Sequence, residues 1–330
     1  MNTEMLMIFL ACFIGVFAIT VISARALIPV LKSKKVGQKI LEIGPRWHKS
    51  KEGTPTMGGI SFIIATSVVA LLFYVISAIK GNFYYMLPSL LTLALAYANG
   101  LIGFVDDYTK LIKKQNEGLT AAQKYLLQLL VAAAYLVVMK LLGFINTMLY
   151  IPYFGILVDI GIFYYVFALI LITGIINSVN LTDGIDGLAS SVTFVFGAFI
   201  SLMGVRFYDH NLTFLGSVAV GATLGFLVYN FYPARVFMGD TGSLFLGGLV
   251  VGTVFMMGNP LIVCIVGLVY IIEALSVILQ VGCYKLTKKR IFKMSPIHHH
   301  FEKCGWSEVK IVCVFTVFTV LMAVLAWFGL

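Results

Sequence analysis

Ten long apolar runs, at about residues 5–31, 57–79, 85–105, 122–142, 160–178, 188–205, 212–229, 244–257, 261–283 and 309–328, restrict this chain to one kind of fold. A bilayer core is crossed by about 20 apolar residues of helix. Lipid leaves no water for unpaired backbone groups, so spanning segments must satisfy their own hydrogen bonds. Of the 330 residues 60% are hydrophobic and only 11% are charged, against about 25% charged in a soluble domain. A large soluble core is thereby excluded, and an all-α polytopic membrane protein of about ten transmembrane helices is expected. The run at 244–257 is short for a bilayer and can begin in the loop before it. No Pro-, Gly- or Ser-rich linker and no internal repeat divides the chain, so residues 1–330 are expected to form a single transmembrane helical domain with its active-site loops on one side.

Charge sets the expected orientation. Basic residues crowd the loops after the first, third and ninth runs: Lys32, Lys34, Lys35, Lys39, Arg46, Lys49 and Lys51, then Lys110, Lys113, Lys114 and Lys124, then Lys285 through Lys310, with Arg235 after the seventh. The other side holds only Lys80, Lys140 and Arg206. The positive-inside rule puts the basic loops in the cytoplasm and both termini outside. Met1-Asn2-Thr3-Glu4 has no basic segment and the run after it is too long for a cleavable signal. Cys12, Cys264, Cys283, Cys304 and Cys313 include no C-x-x-C pair, so free thiols are expected rather than zinc or disulfides. Residues 143–159 contain Tyr150-Ile-Pro-Tyr-Phe-Gly155, which reads as a short external β-hairpin between the fourth and fifth helices.

The polar residues fall in clusters on the basic side. Asn180-Leu-Thr-Asp-Gly-Ile-Asp-Gly-Leu188 packs two carboxylates, an amide and a hydroxyl between two spans. A charge at membrane depth costs about 2.5–3.5 kcal/mol even on the mildest scale, so such carboxylates need a partner or a job. Gly184 and Gly187 predict an irregular turn opening the sixth span, whose backbone N–H groups can face an anion; an Asx turn with an N-cap accounts for one or two of these residues. Asp106-Asp107-Tyr108-Thr109-Lys110 ends the third run. Adjacent carboxylates repel unless a cation or a proton joins them, although two solvated charges ending a helix give the same string. Asn230-Phe-Tyr-Pro-Ala-Arg-Val-Phe-Met-Gly-Asp-Thr-Gly-Ser-Leu244 opens the eighth span with a Gly-flanked Asp240. His48-Lys-Ser-Lys-Glu-Gly-Thr-Pro-Thr-Met-Gly-Gly59 opens the second, its glycines suited to close backbone packing and its lysines to phosphate. Ser295-Pro-Ile-His-His-His-Phe-Glu302 lies in the last basic loop, and its three histidines cannot all point one way. Glu273 and Gln280 lie within the ninth run without a partner at a recognisable spacing. Three aspartate sites on one basic face point to a Mg²⁺-dependent site for a phosphorylated substrate, where a soluble nucleotide sugar and a membrane lipid can meet.

At these motifs the chain closely resembles the polyprenyl-phosphate N-acetylhexosamine-1-phosphate transferase family, nearly end to end. The resemblance rests on G-T-P-T-M-G-G at 53–59, D-D-Y-T-K at 106–110, N-L-T-D-G-I-D-G-L at 180–188, F-M-G-D-T-G-S-L at 237–244 and P-I-H-H-H-F-E at 296–302. The triple histidine and G-T-P-T-M-G-G favour its muramoyl-pentapeptide branch. That branch implies an enzyme transferring phospho-N-acetylmuramoyl-pentapeptide from UDP-N-acetylmuramoyl-pentapeptide to undecaprenyl phosphate, giving lipid I and UMP, with Mg²⁺ as cofactor. This is the first membrane step of bacterial peptidoglycan synthesis, in the plasma membrane with the site facing the cytoplasm. The implied partners are those two substrates, the bilayer and a second copy in a homodimer, and no nucleic acid polymer.

By the same resemblance Asp240, Asp106 and Asp107 are the expected metal ligands, with Asp106 activating the lipid phosphate. Lys110, Lys124 and His298 join them as catalytic groups. Asp183, Asp186, Gly184, Phe237 and Lys51 are expected around the uridine, with Phe237 stacking on the base. Asn180 and Asn230 would contact phosphates or hold the aspartates. Thr56, Ser243, Gln280, His299 and His300 complete the expected substrate contacts. One-step transfer and a phospho-aspartyl intermediate both stay open. So do two rivals: a sister transferase using UDP-N-acetylglucosamine, and an ion-coupled transporter with proton- or Na⁺-carrying carboxylates.

Overall fold

The computed structural model describes residues 3–34, 51, 53–113 and 118–330. The basic residues Lys35, Lys39, Arg46, Lys49 and Lys114 lie outside the described residues, as do His48, Ser50 and Glu52. Ten helices of the described chain are long and apolar enough to cross a membrane. In order the elements are α1 (Thr3–Ser33), α2 (Ile60–Ile79), α3 (Leu87–Lys113), α4 (Ala121–Leu141), β1 (Met148–Ile151), β2 (Ile156–Asp159), α5 (Phe163–Thr182), α6 (Leu188–Phe207), α7 (His210–Asn230), α8 (Gly239–Met256), α9 (Val263–Val266), α10 (Leu268–Thr287), α11 (Ile297–Lys303) and α12 (Glu308–Phe328). The all-α polytopic membrane fold is as the apolar runs predict.

α8 is the centre of the bundle. Of its span 83% is buried inside the protein, against 22% for α1 and α12, whose apolar faces point outward. Helices in lipid gain nothing from hiding apolar surface, so close backbone approach over small residues must hold them together. A side chain at Gly103 on α3 would lie 2.1 Å from the carbonyl oxygen of Asp240 on α8. Farther along the same seam, one at Gly248 would meet the Ala96 backbone at 2.8 Å, and one at Gly252 would meet Thr92 at 2.9 Å. On another face of α8, one at Gly247 would lie 2.7 Å from Ile176 of α5.

Three boundaries differ from the hydropathy pattern. α3 runs on to Lys113, so Asp106 and Asp107 lie inside the helix; a Lys110–Asp106 ion pair of 2.6 Å supports the extra turns. α8 starts at Gly239, in the polar loop ahead of the short apolar run. The ninth run breaks at Gly267, leaving the short α9 before α10.

The external hairpin forms as expected. β1 and β2 pair antiparallel from Met148 opposite Asp159 to Ile151 opposite Ile156. Its turn is tied to the end of the chain by a bond from the Tyr153 N–H to the Gly329 carbonyl, 3.2 Å. At the same end Arg206 donates to the Trp327 carbonyl, and His210 lies 3.6 Å from Glu4. The two ends of the described chain therefore sit together, at the face opposite the aspartate clusters.

The seam between α3 and α8 makes a prediction. Gly103→Ala should destabilise the protein by about 1–3 kcal/mol, because backbone must move to admit the methyl group. Thermal unfolding in detergent checks this against Gly174→Ala, at a helical position with nothing within 4 Å, which should lose nothing. Equal midpoints for the two variants would contradict the seam.

Candidate active site

The close approach at Gly103 brings Asp106 and Asp107 of α3 beside Asp240 at the start of α8. One oxygen from each of the three carboxylates lies within 4.8 Å of the others. Unscreened, three such charges would force the helices apart. Two lysines prevent it. Lys110 Nζ sits 2.6 Å from Asp106, 3.0 Å from Asp240 and 3.8 Å from Asp107. Lys124 Nζ, from the first turns of α4, sits 2.7 Å from Asp240.

The remaining carboxylate oxygens accept hydrogen bonds that fix their directions. The N–H and Oγ1–H of Thr241 donate to Asp107 at 2.9 and 2.7 Å, and the Asp240 N–H donates to it at 3.3 Å. Asp107 thus caps the first turn of α8, where the helix dipole favours negative charge. The Leu119 N–H donates to Asp106 at 2.8 Å. Asn180 Nδ2, on the last turn of α5, donates to Asp240 at 2.9 Å and to Ser243 Oγ at 2.7 Å. Asp240 is the most exposed of the three carboxylates, its side chain 20% exposed against 4% for Asp106 and 0% for Asp107. It is therefore the one a soluble ligand can reach first.

A second layer borders this cluster. Asp183 ends α5, and Gly187, at φ +79°, starts α6 in the left-handed region that glycine enters without strain. The turn is the irregular one predicted. Asp186 is held by Lys51 Nζ at 2.7 Å and by the Ala234 N–H at 2.8 Å. Asn230 accepts from the Gly187 N–H and donates to the Val236 carbonyl, so it fixes the two loops to each other. The G-T-P-T-M-G-G string packs against the start of α8: the Phe237 N–H donates to Pro55, and the N–H groups of Gly58 and Gly59 donate to Phe237 and Met238. A side chain at Gly59 would lie 2.3 Å from the Gly242 Cα, which confirms the close backbone packing expected of these glycines. Phe237 is half-buried and Thr56 is buried. A side chain built on Gly239 would contact both Thr56 Oγ1 and Asp107.

The triple histidine lies on the short helix α11, and its members diverge. His298 is wholly buried, with Nδ1 3.0 Å from Glu273; its Nε2 lies against Gly184. His299 Nδ1 is 2.6 Å from Glu302. His300 Nδ1 accepts from the Lys293 N–H. Gln280 accepts from the N–H groups of Ile291 and Phe292 and donates to the Phe292 carbonyl. The structure thus spends Gln280 on folding the last loop, and His300 on the same loop, whereas His298 borders the aspartates.

The three-carboxylate cluster fits a divalent metal. Its donors are all hard oxygens, which suit Mg²⁺, and cationic ammonium groups already lie among them. Sequence reasoning missed Glu308 and Thr241. Glu308 Oε2 accepts from Lys51 Nζ at 2.6 Å and from the Asp186 N–H at 3.0 Å. Its sequence signal was faint, an acidic residue after the N-cap Ser307, which reads as ordinary helix capping. Glu273 had a stronger signal, a carboxylate deep in an apolar span.

The comparisons agree with this geometry. Residues 89–259 match the family model of glycosyl transferase family 4. Residues 51–63 match phospho-N-acetylmuramoyl-pentapeptide-transferase signature 1. The chain is 44% identical over 321 residues to the phospho-N-acetylmuramoyl-pentapeptide-transferase of Clostridium novyi (strain NT), covering 95% of this chain and 94% of that one. It is 42% identical over 319 residues to that of Staphylococcus carnosus (strain TM300), covering 95% and 97%. With that of Caldicellulosiruptor bescii it shares 43% over 311 residues, covering 94% and 93%. The class is therefore a membrane-embedded transferase of glycosyl transferase family 4. Within that class the chain belongs to the phospho-N-acetylmuramoyl-pentapeptide transferases.

Asp183 offers a pH test. No described residue hydrogen-bonds its carboxylate. Burial first, then the charges of Asp240, Asp107 and Asp186, push its carboxyl well above the usual carboxylate range. The folded protein then holds this proton to higher pH than the unfolded chain does. Its contribution to stability is full at acid pH and is lost as pH rises through the folded value. Asp183→Asn should therefore raise the thermal midpoint near neutral pH, with the gain vanishing below about pH 4. A gain independent of pH would contradict the assignment.

Proposed function

We propose that this protein transfers phospho-N-acetylmuramoyl-pentapeptide from its UDP carrier to undecaprenyl phosphate, releasing UMP and forming lipid I, with residues 1–330 acting as one domain. The observation that carries the reading is the cluster of Asp106, Asp107 and Asp240 cross-braced by Lys110 and Lys124. A diphosphate suits the two ammonium groups and a divalent cation that the carboxylates would hold, since both neutralise its oxygens. The donor brings a diphosphate and the lipid brings a further phosphate, and the site must hold these anions together.

Asp240, with Asp106 and Asp107, would hold Mg²⁺. When bound, the ion neutralises phosphate oxygens and makes the attacked phosphorus more electrophilic. The chain's own groups do the rest. Lys110 and Lys124 present ammonium groups to the anions as these arrive beside the carboxylates. An oxygen of the lipid phosphate forms a bond to the sugar-bearing phosphorus, the bond from that phosphorus to the bridging oxygen breaks, and UMP leaves with the electron pair. Each of the three carboxylates is engaged by an ammonium or N–H group, which supports direct attack over a phospho-aspartyl enzyme. A phosphate monoester is largely ionised near neutral pH, so Asp106 has little proton work to do and steers Lys110 instead. Lys51, Asp186 and Glu308 form the nucleoside end, and the half-buried Phe237 would stack on the uracil. Asn180 and Ser243 orient Asp240, and Asn230 fixes the turn that carries Asp186.

The protein works in the bacterial plasma membrane with this face toward the cytoplasm, as the basic loops on the same side support. A second copy of the chain completes the working form as a homodimer.

Transfer of radiolabel from UDP-N-acetylmuramoyl-pentapeptide to undecaprenyl phosphate in detergent tests the proposal. Lipid product should require Mg²⁺, and Asp240→Asn should lower kcat by about 100-fold or more, the scale of removing one electrostatic contact to the transition state. Product from UDP-N-acetylglucosamine alone would move the protein to the sister branch. No UMP release from either donor by well-folded protein would overturn the transferase reading.

A further inference from the structure

Glu273 lies on the second turn of α10, and its carboxylate is wholly buried within a membrane-crossing helix. Burying an ionised carboxylate there is costly, and the mechanism above gives it no role. Its one described partner is His298 Nδ1, 3.0 Å away, on a side chain that is also 0% exposed. His298 Nε2 is buried and has no hydrogen-bond partner among the described residues. It lies directly against Gly184, where a side chain would come within 2.2 Å of it. Gly184 sits between Asp183 and Asp186, in the turn that borders the three-carboxylate cluster. An orphaned buried polar atom costs the protein its full desolvation. This one points at a position kept clear by a missing side chain, on the face where the anionic donor is expected.

We propose that Glu273 is a positioning residue for the transfer. It accepts the Nδ1–H of His298, fixes the ring and its tautomer, and so presents Nε2 across Gly184 to the substrate. Without Glu273 the ring can turn, or carry its proton on the other nitrogen. The role is that of a carboxylate which orients a working imidazole without touching the reacting atoms. It explains why a carboxylate is retained at this depth, why position 184 has no side chain and why one imidazole nitrogen stays unpaired.

The inference rests on the transferase reading for its kinetic test but not for its spectroscopic one. Glu273→Gln keeps the shape and presents an amide to Nδ1. The expected result is a kcat lowered by about 10- to 100-fold with donor KM within about threefold of the parent value. The double variant Glu273→Gln/His298→Asn should lose no more than His298→Asn alone, because Glu273 acts only through the ring. A side chain that merely holds the fold would instead multiply the two losses. Where Glu273→Gln fails to fold, ¹⁵N spectra of histidine-labelled parent protein decide, with His298 assigned by difference from His298→Asn. Nδ1 should carry the proton. An unchanged kcat in Glu273→Gln, multiplied losses in the double variant, or an unprotonated Nδ1 would each overturn the proposal. An inactive parent protein whose Nδ1 is protonated would sink the transferase reading, and with it the positioning role, and leave only the Glu273–His298 hydrogen bond established.

Discussion

The contact between Gly103 of α3 and the backbone of Asp240 on α8 is the constraint from which the rest of the site follows. It sets three carboxylates within 4.8 Å of one another at one end of a lipid-embedded bundle. Such a cluster is self-repelling, and the fold accepts it only because Lys110 and Lys124 enter from α3 and α4. The glycines along α8 then have a shared purpose. They let α3 and α5 approach closely enough that Asn180 reaches Asp240, where larger residues would hold the helices apart. Packing and chemistry are thus one design here: the helix seam that replaces a hydrophobic driving force in lipid also sets the spacing of the charges.

A division of labour follows among the polar groups. Asp107 is spent on capping α8 through Thr241, Asp106 on Lys110 and the loop at Leu119, and Asp240 is left the most reachable. A separate charge network lies beside this cluster. There Lys51 bridges Asp186 and Glu308, and so ties the loop before α2 to the start of α12. Three segments far apart in the chain meet at that one ammonium.

Much of this was legible in the sequence. Ten apolar runs dictate ten helices because lipid permits few alternatives. The Gly-Asp turn at 183–187 shows itself because two glycines, Gly184 and Gly187, each directly after an aspartate, suit an irregular backbone. Lying on one basic side gathers Asp106, Asp107, Asp183, Asp186 and Asp240 alike; the grouping of Asp106, Asp107 and Asp240 comes from the family resemblance. What stayed hidden depended on side-chain direction. Gln280 reads from sequence as a substrate contact; in the fold its oxygen accepts from the Ile291 and Phe292 N–H groups and its nitrogen donates to the Phe292 carbonyl. The sequence shows that the three histidines must diverge but not which way each turns; α11 sets His298 against Gly184, beside the aspartates. Glu308 looked like helix capping because its partners, Lys51 and the Asp186 N–H, are more than 100 residues away. The short run at 244–257 is expected to begin in the loop before it, and α8 does start there, at Gly239.

The most direct measurement is electron paramagnetic resonance of Mn²⁺, as a Mg²⁺ substitute, bound to the protein in detergent. The three-carboxylate account predicts an ion held by the parent protein, released by Asp240→Asn, and retained by Asp183→Asn, whose carboxylate stands outside the cluster. Undiminished Mn²⁺ binding by Asp240→Asn would contradict it.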